Sequence, residues 1–236
     1  MEIPSRLEAI RDRVESACRR VGRSSKEITL VAVSKTRTVE EMASAVAAGV
    51  RDLGENRVQE AEAKHDPLMA RLADTEVLPR WHLVGHLQKN KVKKAVALFD
   101  RIHSVDGYEL GARIDRAAEE MGKVQPSLLQ VDLASEPTKF GLPETDLFPT
   151  LEKLASLGHL RIEGLMVLPP FLSNPEEVRP YFQRLRELGA EVERRGLGGR
   201  ELSMGMSHDF EIAIEEGATF IRVGEAIFGP RGTIEE

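Results

Sequence analysis

Residues 28–49 read ITLVAVSKTRTVEEMASAVAAG. The first half is a short apolar run with strand character, and the second has the spacing of a helix that closes on glycine. The strand half ends on Lys35, although lysine is among the residues least often buried without a partner. Lys35 therefore either escapes to solvent or supplies an amine to a pocket.

The strand-then-helix pattern repeats outward from this stretch. RDLGEN precedes RVQEAEAKHDPLMARL, WHLVGHL precedes QKNKVKKAVALF, and RIHSVD precedes GYELGARIDRAAEEMG. PSLLQVDLA precedes PETDLFPTLEKLASLG, LRIEGLMVL precedes NPEEVRPYFQRLRELGAEVERRG, and RELSMGMS precedes HDFEIAIEEG. TFIRVGEAIFG closes the series. Alternation of this kind implies parallel βαβ units. Eight strands over about 200 residues suit a (β/α)8, or TIM, barrel. A doubly wound sheet is the alternative, but it wants a GxGxxG loop after an early strand, and the sequence has none. Residues 1–24 add an amphipathic helix. Its stripe is Leu7, Ile10, Val14, Ala17, Cys18 and Val21. With no linker or composition shift, 1–236 is expected to be one domain.

The chain has 236 residues, 41% hydrophobic and 31% charged, which is a globular composition. A net charge of -6 argues against non-specific nucleic-acid binding. A lone cysteine, Cys18, forms no internal disulfide and reads as a small core residue. MEIPSRLEAIRDRVESACRRVG lacks the apolar core of a signal peptide, and no apolar run approaches membrane-spanning length. The expected location is the cytoplasm, away from membranes.

In a (β/α)8 barrel the site lies at the C-terminal ends of the strands. The residues there are Ser34 and Lys35; Glu55, Asn56 and Arg57; Gly85, His86 and Gln88; Ser104 and Asp106; Asp132; Met204 to Ser207; and Gly224 with Glu225. Period-2 alternation puts Val31, Val33 and Lys35 on one strand face, and sends Arg222 inward, opposite Ile221 and Val223. Barrels often hold a phosphate after the last two strands. There, GMSHD offers Ser207 as the N-cap of its helix, and VGEA offers the amides of Gly224 and Glu225. A lysine and a phosphate cradle together suggest a phosphorylated aldehyde held as a Schiff base, with pyridoxal 5'-phosphate as the candidate. An imine would remove the cost of burying the ammonium.

His82 and His86 lack companion ligands at metal spacing, so hydrogen bonding is the expected role of His86 and no metal is expected. The basic run 89–94 reads as a solvated face, with an anion patch at the pocket rim as the alternative. Lys139, in the loop after Pro137, is the rival amine.

The motifs VAVSKT, GENRVQEAEAK, WHLVGHLQKNK, SVD, TKFGL, GLMVLPP, RPYFQRLREL, LSMGMSHDFEIAIEEG and IRVGEAIFG together resemble the pyridoxal phosphate homeostasis protein family, single-domain relatives of the alanine racemase N-terminal barrel. The resemblance runs from about Ile28 to Arg231. It implies the cofactor on Lys35, phosphate contacts at Ser207, Gly224 and Glu225, and Arg222 against the pyridine nitrogen. Asn56 and His86 fall in its pocket motifs. Met166, Met204 and Met206 read as core or cofactor-packing groups, with Met204 counted among the cofactor contacts. Asp132 and Val167 depart from the pattern, which expects asparagine and a threonine or cysteine there.

A racemase needs a second acid/base, supplied in the related racemases by a tyrosine of a second domain. Only PRGTIEE follows strand eight, so no such domain is expected, and Tyr108 and Tyr181 fall in predicted helices. The expected function is non-catalytic: buffering or delivering the cofactor in vitamin B6 homeostasis. The recipients would be apo forms of pyridoxal phosphate-dependent enzymes, and the chain a monomer or weak homodimer. The alternatives are a single-domain amino-acid racemase and a Schiff-base aldolase on a sugar phosphate.

Overall fold

The computed structural model describes residues 2–75, 78–134 and 140–230. The order of elements begins α1 (Ile3–Arg20), β1 (Thr29–Val33), α2 (Val39–Ala47), β2 (Asp52–Glu55), α3 (Val58–Arg71), β3 (Arg80–Leu83), α4 (Val92–Leu98), β4 (Arg101–Val105) and α5 (Tyr108–Glu120). It continues β5 (Gln125–Asp132), β6 (Leu142–Pro143), α6 (Leu147–Leu154), β7 (Leu160–Val167), α7 (Arg179–Arg194), β8 (Glu201–Ser203), α8 (Phe210–Glu215), β9 (Phe220–Val223) and α9 (Glu225–Phe228).

All strand pairs are parallel. β1 lies between β2 and β9, with Val31 opposite both Asp52 and Arg222. The order runs β4-β3-β2-β1-β9-β8-β7-β5, and a β4–β5 pairing closes the ring. Eight strands thus form the expected barrel, and closure rules out the open doubly wound sheet. The short β6 adds to the end of β5, where Val131 faces Leu142. That pairing was not anticipated from two residues of sequence.

Side-chain parity sorts the strands into two faces. Val31, Val84, Leu128, Met166 and Phe220 form a small cluster. Their neighbours Ala32, Leu83, Leu129, Leu165 and Ile221 belong to a much larger core shared with the helices. The first set fills the barrel, and the second packs the outer layer.

Among the described residues, the last strand is followed by the short, four-residue α9. The N-terminal helix α1 fills the place of a longer helix there, because it packs against α2, α8 and α9 and so completes the outer ring. Leu7, Ile10, Val14, Ala17 and Cys18 are buried as the stripe requires, but Val21 is 41% exposed because the helix ends at Arg20. Burial pushes the Cys18 thiol up, consistent with a packing role. Among the described residues, no helix is long and apolar enough to cross a membrane.

Candidate functional site

A cavity of about 570 Å³ opens at the C-terminal ends of the strands, within the usual range for small-ligand sites. Lys35, Asn56, His86, Ser207, Arg222, Gly224 and Glu225 all line it. Met204 does not. Because Ser203 points into the barrel, parity turns Met204 outward, where it is fully buried in the outer core, and Met206 lines the cavity instead. Lys139 lies outside the described residues.

Lys35 continues the inward face of β1 and is half-buried. The turn after it is unusual, since Thr36 adopts φ 63°, a left-handed conformation disfavoured for a β-branched residue. A buried polar platform behind the turn holds it. Lys64 donates to the Ser34 carbonyl at 2.8 Å, to Glu55 Oε1 at 2.9 Å and to Glu60 Oε1 at 2.6 Å. Ser34 Oγ donates to Glu55 Oε1 at 2.7 Å, and the Thr36 amide donates to Glu60. Burial pushes the Glu55 carboxyl up, partly offset by Lys64. Nothing in the sequence singled out Lys64. Its neighbour Glu60 at i−4 makes it read as an ordinary surface pair.

The phosphate-type corner differs from expectation. Ser207 is not the N-cap of α8: that position is Asp209, whose Oδ1 accepts from the Met206 amide at 2.6 Å. Ser207 Oγ instead accepts from the amides of Gly224 and Ala226, each at 3.3 Å. The hydroxyl and two N–H groups thus meet across two consecutive βα units. A Cβ on Gly224 would sit 3.1 Å from the Val33 carbonyl oxygen, so only glycine fits without a shift.

His86 and Asn56 are fixed by a close crossing. A Cβ on Gly85 would come within 2.3 Å of the Asn56 carbonyl oxygen, so the ends of β2 and β3 can touch only through glycine. The His86 ring stacks on Phe140, with centroids 3.6 Å apart and an interplanar angle of 11°. Its Nδ1 lies 3.3 Å from Asp106 Oδ2. Burial raises the Asp106 carboxyl, with His86 opposing. The sequence reading missed Phe140, Arg37 and Phe171, which also line the cavity.

Arg222 points inward as parity requires and is 4% exposed. It donates to Ser203 Oγ at 2.6 Å and to the Val167 carbonyl at 2.9 Å. Burial lowers its guanidinium to about 10, so it is still charged at neutral pH. The Val167 backbone, not its side chain, makes this contact, so the departure from a threonine or cysteine there leaves the contact intact.

The basic run serves the surface. Lys89, Lys93 and Lys94 pair with Glu109, Glu120 and Glu62, and none of these lysines lines the cavity.

The chain is similar to known proteins over nearly its whole length. The model of the alanine racemase N-terminal domain matches residues 5–232. The pyridoxal phosphate homeostasis protein of Aquifex aeolicus is 41% identical over 232 residues, covering 98% of this chain and 99% of that one. PipY of Synechococcus elongatus PCC7942 has been solved without PLP and with PLP bound. The two structures superpose with TM-scores of 0.84 and 0.83 at 41% and 40% identity, each covering 97% of this chain and 100% of the other. With the lysine, the buried arginine and the serine–glycine corner gathered in one barrel mouth, the chain belongs to the alanine racemase N-terminal domain family and, within it, to the pyridoxal phosphate homeostasis proteins.

Proposed function

We propose that this chain holds pyridoxal 5'-phosphate as a Schiff base on Lys35 and buffers or delivers it without appreciable turnover. The observation that carries the reading is convergence: Lys35, Arg222 and the Ser207–Gly224 corner line one cavity. A relative 40% identical has been solved with PLP bound. The side chains and amides around the cavity fit that group. Ser207 and the amides of Gly224 and Ala226 suit a phosphate, Lys35 suits an aldehyde, and Arg222 suits an acceptor nitrogen. Asn56 and His86 line the space between, and Glu225 opens α9 at the phosphate corner.

The same residues argue against turnover. When bound, the cofactor supplies an electron sink for carbanion chemistry. Arg222 would offer the ring nitrogen a hydrogen bond while keeping its own proton, which weakens that sink. Proton transfer on a second face needs another acid/base. Among the described residues no tyrosine lines the cavity; Tyr108 is 43% exposed at the start of α5 and Tyr181 lies in α7. Apo forms of pyridoxal phosphate-dependent enzymes would be the recipients.

Borohydride reduction of the loaded protein, followed by peptide mapping, tests the linkage. Label is expected on Lys35 and absent from Lys35→Ala; label on Lys139 overturns the assignment. The same preparation, incubated with L-alanine or L-serine in deuterated water, should show no racemisation. Turnover of even about one per second, an ordinary enzyme rate, refutes the carrier reading.

A further inference from the structure

Inside the barrel a single file of polar side chains runs from floor to mouth. On the floor Arg80, at the start of β3, donates to Asp52 Oδ2 at 2.9 Å. Asp52 Oδ1 lies 2.8 Å from His82 Nε2. His82 Nδ1 lies 2.9 Å from His103 Nε2, and His103 Nδ1 lies 2.8 Å from Ser203 Oγ. Ser203 Oγ then meets Arg222 at 2.6 Å, and Arg222 lines the cavity. Five strands, β2, β3, β4, β8 and β9, each contribute one member of the chain between Asp52 and Arg222.

The donor directions in this file are determined. An ionised carboxylate only accepts and a guanidinium only donates. Asp52 therefore requires a proton on His82 Nε2. Burial keeps both histidines neutral, with His103 held well below the ordinary range. His82 Nδ1 is then bare and accepts from His103 Nε2–H. His103 Nδ1 is bare in turn and accepts the Ser203 O–H. Ser203 oxygen is left to accept from Arg222. Between Arg222 and Asp52 every donor points the same way, toward Asp52, and Arg80 donates to Asp52 from the other side.

This arrangement bears on how Arg222 is held. A buried cation needs compensation, yet its two hydrogen-bond partners, Ser203 Oγ and the Val167 carbonyl, are both neutral. Asp209 also acts on it electrostatically, but its Oδ1 is occupied by the Met206 amide and burial raises its carboxyl. An aligned chain of hydrogen bonds polarises its members, so Ser203 oxygen presents part of the Asp52 charge to the guanidinium. Phe220 encloses the file: its ring meets His103 edge-on at 5.2 Å, and the Arg101 guanidinium lies 4.7 Å from its centroid. Barrel interiors are ordinarily filled by Val, Ile and Leu, and an apolar filling would be at least as stable. A polar file that ends on one cavity-lining cation calls for a reason at the cavity.

We propose that Asp52, His82, His103 and Ser203 are positioning residues: a one-directional hydrogen-bond chain that fixes the Arg222 guanidinium for the ring of the bound cofactor. This rests on the cofactor reading above. The first test needs no ligand. Histidine side-chain 15N–1H correlation spectra of the wild-type chain at neutral pH should show His82 and His103 both neutral and both protonated on Nε2. Either ring charged, or protonated on Nδ1, overturns the chain. The second test titrates pyridoxal phosphate into Ser203→Ala, Ser203→Thr and Asp52→Asn. Ser203→Ala should weaken binding about tenfold and shift the visible absorption maximum of the bound cofactor, and Ser203→Thr, which keeps the hydroxyl, should restore both. Asp52→Asn should shift the same maximum from the opposite end of the barrel. Folded Ser203→Ala and Asp52→Asn proteins with wild-type affinity and spectrum refute the positioning role. A wild-type protein that gives no cofactor band refutes the cofactor reading instead, and the tautomers still judge the chain.

Discussion

Successive residues of one strand live in two different interiors. On β1, Val31 faces the barrel and Ala32 faces the helices, and both are fully buried. The outer interior is mainly apolar and continuous from α1 to α9, with Ser34, Glu55 and Lys64 as its polar platform at the mouth end. The inner one is five apolar side chains laced with Asp52, His82, His103, Ser203 and Arg222. Cohesion scales with apolar area removed from water, so it resides mainly in the outer layer. The inner face gives up some of that cohesion and gains oriented polar groups. The difference teaches that stability and ligand binding are separable in this fold: one face of each strand serves each.

The strongest challenge to that separation is a large truncation outside. Phe182 of α7 is fully buried in the outer core. Phe182→Ala should cost about 3–5 kcal/mol of stability, measured by urea unfolding, and leave pyridoxal phosphate affinity within about twofold. A parallel loss of affinity in the folded variant would show that the two faces are coupled.

Acid should act from the inside. Burial lowers both His82 and His103 below the ordinary value of 6.5. Below that pH the unfolded chain binds protons that the folded chain refuses. Stability is therefore full above about pH 6.5 and falls as the pH drops. Each histidine contributes a slope that reaches at most about 1.4 kcal/mol per pH unit, and only between its ordinary and its lowered value. Urea unfolding at pH 7, 6 and 5 measures it. Asp52, held low by His82 and Arg80 against its own burial, adds to the loss only below its ordinary value of 3.8. A flat profile between pH 6.5 and 5 would mean that the histidine file opens to water.

Legibility in the sequence followed the same division. The barrel was readable because its signal, strand and helix in alternation, is local and repeated. Arg222 was readable because Ile221 and Val223 fix its parity. Parity around Ser203 could also have excluded Met204, and would have brought out His82 and His103. The positions of Lys64 and Ser207 were not readable. Lys64 looks like a surface i,i+4 partner of Glu60, and only packing brings it to the carbonyl of Ser34. Ser207 precedes a helix and looks like its cap, but its hydroxyl bonds to amides 17 and 19 residues away. Local rules see the helix that follows; they do not see the next βα unit.

Ser207 also yields the finest test of the division, because its effect should fall wholly on binding. Its hydroxyl accepts two amide bonds at 3.3 Å, both long for N–H···O. A phosphate oxygen would take the same amides more strongly, because a charge-assisted bond exceeds a neutral one. The hydroxyl would then turn to donate to the phosphate. Since it exchanges existing bonds for that one, its removal should cost the lower end of the charged range, about 1.5 kcal/mol, or roughly tenfold in affinity. Ser207→Asp should do worse, because it sets a carboxylate against a dianion at a poorly solvated corner. Unphosphorylated pyridoxal should bind far more weakly than its phosphate and be indifferent to Ser207→Ala. Titrating both ligands against wild type, Ser207→Ala and Ser207→Asp, with unfolding curves alongside, separates the outcomes. Unchanged phosphate affinity in both variants would leave Ser207 as a tie between the β8 exit and α9. A loss of stability in Ser207→Ala as large as its loss of affinity would place that tie among the structural contacts and erase the separation of the two faces at this corner.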